Sequence, residues 1–181
     1  MMLELRIVAL LESTSVPGHY TLVLEEPVSR RRLPLTIAAT EAQAIAMPLE
    51  QLVPARPLTH DLLQAVLHTL GATLEQVHLH YESDLFRAQL YLRDATGQAH
   101  PLDARPSDAV ALAVRTSTLL YTTEEVLAQA AFVPTEPPRP IDAYLGHSLP
   151  ELEQLLADTL HKQDFEQAAR IRDALRRRRL K

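Results

Sequence analysis

Two short runs hold the residue types that could do chemistry: Arg56 to Leu63, RPLTHDLL, and Arg105 to Arg115, RPSDAVALAVR. Each sets an arginine and a proline beside a small hydroxyl residue and an acid, directly before an apolar stretch. A guanidinium grips phosphate or carboxylate oxygens through paired hydrogen bonds, and a histidine among carboxylates can bind a cation or move protons near neutral pH. If the two runs converge in space, Arg56 and Arg105 hold phosphate oxygens while His60, Asp61 and Asp108 handle protons or a cation. Taken singly, each run is explained as well by helix capping and surface ion pairing, because an acid in the first helical turn complements the helix dipole. Convergence decides between the two.

Helix starts must position these groups. Pro106 biases Arg105 towards extended backbone, and Ser107 is the expected N-cap of a helix beginning near Asp108 and running through Ala109, Val110, Leu112 and Ala113. Pro57 acts likewise on Arg56. Thr59 is expected to cap a helix that carries His60 and Asp61, buries a stripe of Leu62, Leu63, Val66, Leu67 and Leu70, and ends at Gly71. An earlier helix is expected to start with a Thr40-x-x-Gln43 box and to kink or stop near Met47, ahead of Pro48.

Alternation of apolar and polar residues predicts strands at Leu3 to Ala9, Tyr20 to Leu24 and Leu33 to Ile37, then a hairpin of Thr73 to Tyr81 with Leu85 to Leu92 about Glu82-Ser83-Asp84. Short strands near His100 to Leu102 and Thr118 to Tyr121 complete the sheet. Thr122 with Glu125 is expected to box a last helix, Thr123 to Ala130. The fold class is α+β: a mixed, largely antiparallel sheet packed with several short helices and followed by a C-terminal α-helical hairpin. His78 and His80 share one strand face; with His100 they could assemble a transition-metal site, but an exposed sheet face is the favoured reading.

Composition sets limits. The 181 residues, 46% hydrophobic, can bury one moderate core and carry an appendage. Without cysteine there are no disulfides or thiolate zinc sites, and with no signal sequence or long apolar span the cytosol is the expected location. Residues 1–147 hold 10 Lys and Arg against 17 Asp and Glu, net −7, whereas 148–181 hold 8 against 6, net +2, which gives the total of −5. Tight non-specific nucleic-acid binding draws on phosphate neutralisation, so the acidic body allows only a local cationic site. Aromatics are few, at 4%, leaving few platforms for stacked bases. Four glycines make no phosphate loop, and no Gly-x-Ser-x-Gly or His-Glu-x-x-His pattern occurs.

RPLTHDLL and RPSDAVALAVR, preceded by LPLTIAATEAQAIA at Leu33 to Ala46, together resemble the bifunctional nuclease domain family, to which ribonuclease and deoxyribonuclease activity are attributed. The resemblance covers residues 1 to about 135 and rests on three ordered motifs. This chain departs from the pattern at two glycines: Ile37 is followed by Ala38 and Ala39, and Leu49-Glu50 by Gln51. The resemblance implies phosphodiester hydrolysis of RNA or DNA. With no nucleophile motif present, a divalent cation (Mg or Mn) held by carboxylates is the expected activator of water. The candidates are His60, Asp61, Asp108 and Glu41 for catalysis, Arg56, Arg105 and Ser107 for phosphate, and Asp103 with Asp108 for the metal.

From Leu149 to Lys181 the chain resembles the UVR motif, the short helical hairpin of the UvrB and UvrC repair proteins, which is also found fused to members of the nuclease family. Ser148-x-x-Glu151 and Asp164-x-x-Gln167 are capping boxes for two short helices meeting at His161 to Gln163. So small a hairpin is expected to bind a protein partner, through Leu152, Leu156, Phe165, Ala169 and Arg172. The expected division is therefore a nuclease-like domain at 1–132, a proline-rich linker at 133–147 and the hairpin at 148–181. Besides a nuclease, the residues allow an anion- or ligand-binding domain without turnover, or an adaptor. An open sheet edge and a lone hairpin make a homo-oligomer the expected state.

Overall fold

Apolar residues at alternate positions build seven strands: β1 (Met2–Glu12), β2 (His19–Glu25), β3 (Arg32–Ala38), β4 (Thr73–Glu82), β5 (Leu85–Arg93), β6 (Ala99–Ala104) and β7 (Leu120–Thr123). They form one sheet in the order β3-β2-β1-β7-β4-β5-β6, antiparallel throughout except where β4 runs parallel to β7. The computed structural model describes residues 1–13, 16–134, 152–154, 156, 157, 171, 172 and 175. Strand β1 joins the two halves of the sheet: Met2 to Leu5 pair with β7, Arg6 to Glu12 pair with β2, and a register shift between Ile7 and Ala9 lies in the second half. At the β4–β5 hairpin, Ser83 and Asp84 both take positive φ (52° and 62°), as a tight hairpin turn requires.

Four helices follow from the same segments: α1 (Ala39–Leu49), α2 (Thr59–Thr69), α3 (Pro106–Thr116) and α4 (Glu124–Ala130). Helices α1 and α3 pack on each other and on the sheet, α1 over β2 and β3, α3 over β4 and β5. Between the layers, Leu22, Leu33, Leu35, Val77, Leu79 and Leu120 meet Ile45 of α1 and Val110 and Leu112 of α3 in one buried cluster. The α+β class with a largely antiparallel sheet is as expected.

Helix starts differ from expectation: α1, α2 and α3 begin a residue or two early and α4 one residue late, so the N-cap positions are Ala38, Leu58, Arg105 and Thr123, none with a side-chain capping bond. Thr40, Thr59 and Ser107 thus lie inside first turns. Pro106 occupies the first position of α3, where a residue without an N–H costs nothing. Thr122, expected to cap α4, is instead buried and donates to the Leu79 carbonyl at 3.0 Å.

The expected buried stripe of α2 is overturned. None of its residues is buried, and Leu62, Leu63, Val66 and Leu70 are 59%, 42%, 43% and 67% exposed. The periodicity was real but its phase was not. Helix α2 packs on α3, which already covers the sheet; of the expected stripe Leu67 alone turns inward to pack against the core, beside polar contacts in which His60 bonds Asp108, Asp61 bonds Arg115, and Gln64 donates to the Arg115 carbonyl.

Helix α1 runs through Pro48 and ends one residue beyond it; the Ala44 carbonyl, which Pro48 has no N–H to serve, accepts from Arg115 Nη1 instead. The N–H groups of Gln51 and Leu52 return to the carbonyls of Pro48 and Met47, a Schellman turn whose left-handed residue is Gln51, φ 55°. Helix α2 ends in the same turn with Gly71, φ 67°. Gln51 is the position where the family resemblance expects glycine, so the helix end survives at a strain cost of about 1–2 kcal/mol. Replacing Gln51 by Gly is expected to stabilise the chain by about 0.5–1 kcal/mol, the strain relieved less the extra unfolded-state entropy of glycine. Chemical denaturation checks this; an unchanged or lower stability contradicts the strain.

Candidate active site

The sheet order brings the first turns of α1, α2 and α3 together. Asp108, in the first turn of α3, is the meeting point: its Oδ1 lies 3.2 Å from His60 Nε2 of α2, and Arg105 reaches the same carboxylate through Nε (2.7 Å to Oδ2) and Nη2 (3.2 Å to Oδ1). The third nitrogen of Arg105, Nη1, donates to Glu41 Oε1 of α1 at 3.2 Å. Glu41, His60, Arg105 and Asp108 thus form one continuous network from three helices. His60 and Glu41 are largely buried, whereas the Arg105 side chain is 68% exposed and faces incoming molecules.

A second network braces the first. Arg115, on α3 two turns beyond Asp108, is only 5% exposed. Its Nε donates to Asp61 Oδ1 at 2.6 Å, and its Nη1 donates to the carbonyls of Ala44 on α1 and Ala111 on α3. The other oxygen of Asp61 accepts the Leu58 N–H at 2.8 Å, closing the start of α2. The Arg115 guanidinium holds the Asp61 carboxyl below the usual aspartate range, helped by the Leu58 amide. Glu41 is also lowered, first by the Thr40 hydroxyl, then by its own backbone N–H, with Arg105 adding to the effect.

Of the sequence candidates, Glu41, His60, Arg105 and Asp108 are brought into contact, and Asp61 adjoins them through Arg115. Ser107 is buried in the first turn of α3. Arg56 is exposed, with no hydrogen bond or ion pair among the described residues. Asp103 lies elsewhere: opposite Gln89 in the β5–β6 register, it shares the sheet face turned away from Leu90 and the core. Likewise His100, opposite Leu92, faces away from His78 and His80, so a trio of these histidines does not form; His100 pairs with Asp94 at 2.8 Å instead. Among the described residues no three His, Asp or Glu side chains gather to hold a metal ion.

Of the hairpin residues, Leu152 is buried against Ile171 and Leu175, with Leu156 packed on the same cluster, so Leu152 faces its own segment. Arg172 is exposed, while Phe165 and Ala169 and most of the linker and hairpin spans lie outside the described residues. The site residue that sequence reasoning missed is Arg115. Its signal was present, an arginine closing RPSDAVALAVR seven positions after Asp108, on the same helical face.

Because the Asp61 carboxyl is lowered in the folded chain, its stabilisation is complete above the ordinary value of 3.8 and is lost as pH falls through the folded value. Asp61→Asn is therefore expected to cost about 2–4 kcal/mol at pH 7, leaving a buried guanidinium short of its partner. The gap to the unsubstituted chain should narrow below about pH 4. Denaturant titrations across pH measure it; a gap that does not change with pH contradicts the ion pair.

Comparison with known proteins agrees with the motif reading. The family model described as bifunctional nuclease domain matches residues 22–135, from β2 past the end of α4. Two uncharacterized proteins of Mycobacterium tuberculosis, from strains CDC 1551 / Oshkosh and ATCC 25618 / H37Rv, are each 38% identical over 112 residues. The match covers 62% of this chain and 66% of each relative, a little under two thirds of their length. The matched span contains α1, α2, α3 and every residue of both networks, and the chain belongs to the bifunctional nuclease domain family.

Proposed function

We propose that the chain hydrolyses phosphodiester bonds of RNA or DNA at the meeting point of α1, α2 and α3. The observation that carries this reading is the His60–Asp108 contact at 3.2 Å beside an exposed Arg105. With the Nε2 proton directed at Asp108, Nδ1 of His60 keeps its lone pair and can take a proton from water as that water attacks phosphorus. Arg105 has five N–H donors, three committed to Asp108 and Glu41. Two remain for a phosphate oxygen. Pro106 has no N–H, so the Ser107 and Asp108 amides are the unpaired donors at the positive end of α3, where developing negative charge is favoured. Arg56 supplies a further cation upstream of α2.

The expected divalent cation does not fit this arrangement. The Glu41 and Asp108 carboxylates are already engaged by Arg105, and Asp103 faces the other side of the sheet. Water activation is accordingly assigned to His60. On a short single-stranded substrate, His60→Ala and Asp108→Asn are each expected to lower kcat about 10²–10³-fold in protein freed of contaminating nucleases, while a chelator leaves the parent rate intact. Loss of activity on chelation, or full activity in His60→Ala, overturns the assignment.

The exposed face of α2 favours a second role, assembly with another copy of the chain. Leu62, Leu63, Val66 and Leu70 are exposed, as are Leu52 and Val53 in the segment before α2, and from Leu58 to Leu70 the only ionised carboxylate or guanidinium is Asp61, which Arg115 neutralises. On an acidic body this is an uncharged apolar surface on which copies can meet without repulsion. Partner recruitment by residues 148–181 rests on the UVR resemblance. Light scattering is expected to give an oligomer that Leu62→Glu with Leu70→Glu converts to a folded monomer; a monomeric parent chain contradicts it.

A further inference from the structure

The sheet face turned away from the helices carries a second constellation. In the registers of β7, β4 and β5, Tyr121 lies beside His78 and His78 beside Gln89, with Gln76 opposite Tyr91 and His80 opposite Arg87. Two tyrosines, Tyr91 and Tyr121, stand here beside the rings of His78 and His80. The His78 ring centroid is 4.3 Å from that of Tyr91, 5.8 Å from Tyr121 and 6.3 Å from His80. Two amides fix the rings: Gln76 Oε1 is 2.9 Å from His78 Nε2, and Tyr91 Oη donates to Gln89 Oε1 at 2.7 Å. Burial, and next the neighbouring His80, lower the pKa of His78, so its ring is neutral at pH 7.

The charges around these rings are asymmetric. Arg6 is paired with Glu4 and Arg93 with Glu75. Arg87 is exposed and makes no ion pair or hydrogen bond among the described residues, so its donors are available. Asp103, beside Gln89 at the β6 edge, repels phosphate from that side. Between β7 and β5 the patch around His78 carries rings, amides and one available cation, with the exposed aliphatic Leu119 only at its margin beside Gln76. Flat neutral rings with polar rims suit bases, whose π-faces stack without regard to sequence, better than they suit another apolar surface.

We propose that this sheet face binds single-stranded nucleic acid, stacking bases on Tyr121, His78 and Tyr91 while Arg87 meets a backbone phosphate. The inference deepens the nuclease reading and rests on it for the identity of the ligand, but the two sites lie on opposite sides of the sheet and are separable. The face holds substrate remote from the scissile bond. It serves long strands and is not needed by a dinucleotide.

Fluorescence anisotropy of a labelled oligothymidylate of about ten nucleotides, with the full chain carrying His60→Ala to prevent cleavage, tests the proposal. Tyr91→Ala and Tyr121→Ala should each weaken binding about tenfold, Tyr91→Phe should restore it, and a duplex should bind less well. Arg87→Gln should reduce the slope of log K against log salt by about 0.7, one phosphate's share on a single strand. Thermal melts confirm that each variant is folded. With His60 intact, the tyrosine variants should raise KM for the oligomer and leave turnover of a dinucleotide unchanged. Parental affinity in folded Tyr91→Ala and Tyr121→Ala overturns the sheet-face site even if cleavage persists. So does an oligomer that dissociates in Tyr121→Ala without any loss of strand binding, which makes the face a contact between copies. Binding that depends on the tyrosines, with no cleavage by the parent chain, supports the face and rejects the catalytic reading alone.

Discussion

Everything at the candidate active site depends on one buried guanidinium. Arg115 ties α3 to Asp61 at the start of α2 and to the Ala44 carbonyl of α1, so three helices are fixed around a single planar group. A charge that deep is costly unless it is paired and its donors are satisfied, and here Nε and Nη1 both find acceptors. The same constraint explains why α2 turns polar residues inward. With Asp61 and Gln64 required around Arg115, Leu62, Leu63, Val66 and Leu70 are left to the outside and only Leu67 packs on the core.

From that brace the reactive geometry follows. Asp108 and Arg115 sit seven residues apart on α3, so the helix that is anchored at one end presents its carboxylate at the other, next to His60. Pro106 at the first helical position leaves Arg105 in extended backbone, φ −68° and ψ 144°, free to reach both Asp108 and Glu41. At this mouth both carboxylates are drawn to Arg105, whose remaining donors are exposed, whereas the net −7 of residues 1–147 is spread over the body. An acidic body can therefore carry a confined anion-handling site without being a general nucleic-acid binder.

Much of this was legible in the sequence. The alternation in Thr73 to Tyr81 and Leu85 to Leu92 fixed both the hairpin and which residues enter the core. The two Arg-Pro runs marked the helix mouths that converge. What the sequence misread was phase and side. Helical periodicity reveals that α2 has two faces but not which one a neighbouring helix demands, and proximity in sequence placed Asp103 with Asp108 although strand alternation turns it to the opposite face. Caps were misplaced because Thr40, Thr59 and Ser107 are as compatible with a first turn as with the position before it. Arg115 escaped notice because an arginine at a helix C-terminus already has an ordinary explanation in the helix dipole.

The central claim is that His60 and Asp108 act as one unit in phosphodiester cleavage, and a double-mutant cycle measures it most directly. Rates for the parent chain, His60→Ala, Asp108→Asn and the combined variant, on one oligonucleotide at one pH, yield the coupling between the two side chains. The account predicts strong non-additivity, with the double variant no slower than His60→Ala alone. Losses that simply multiply, or no loss in any variant, contradict it.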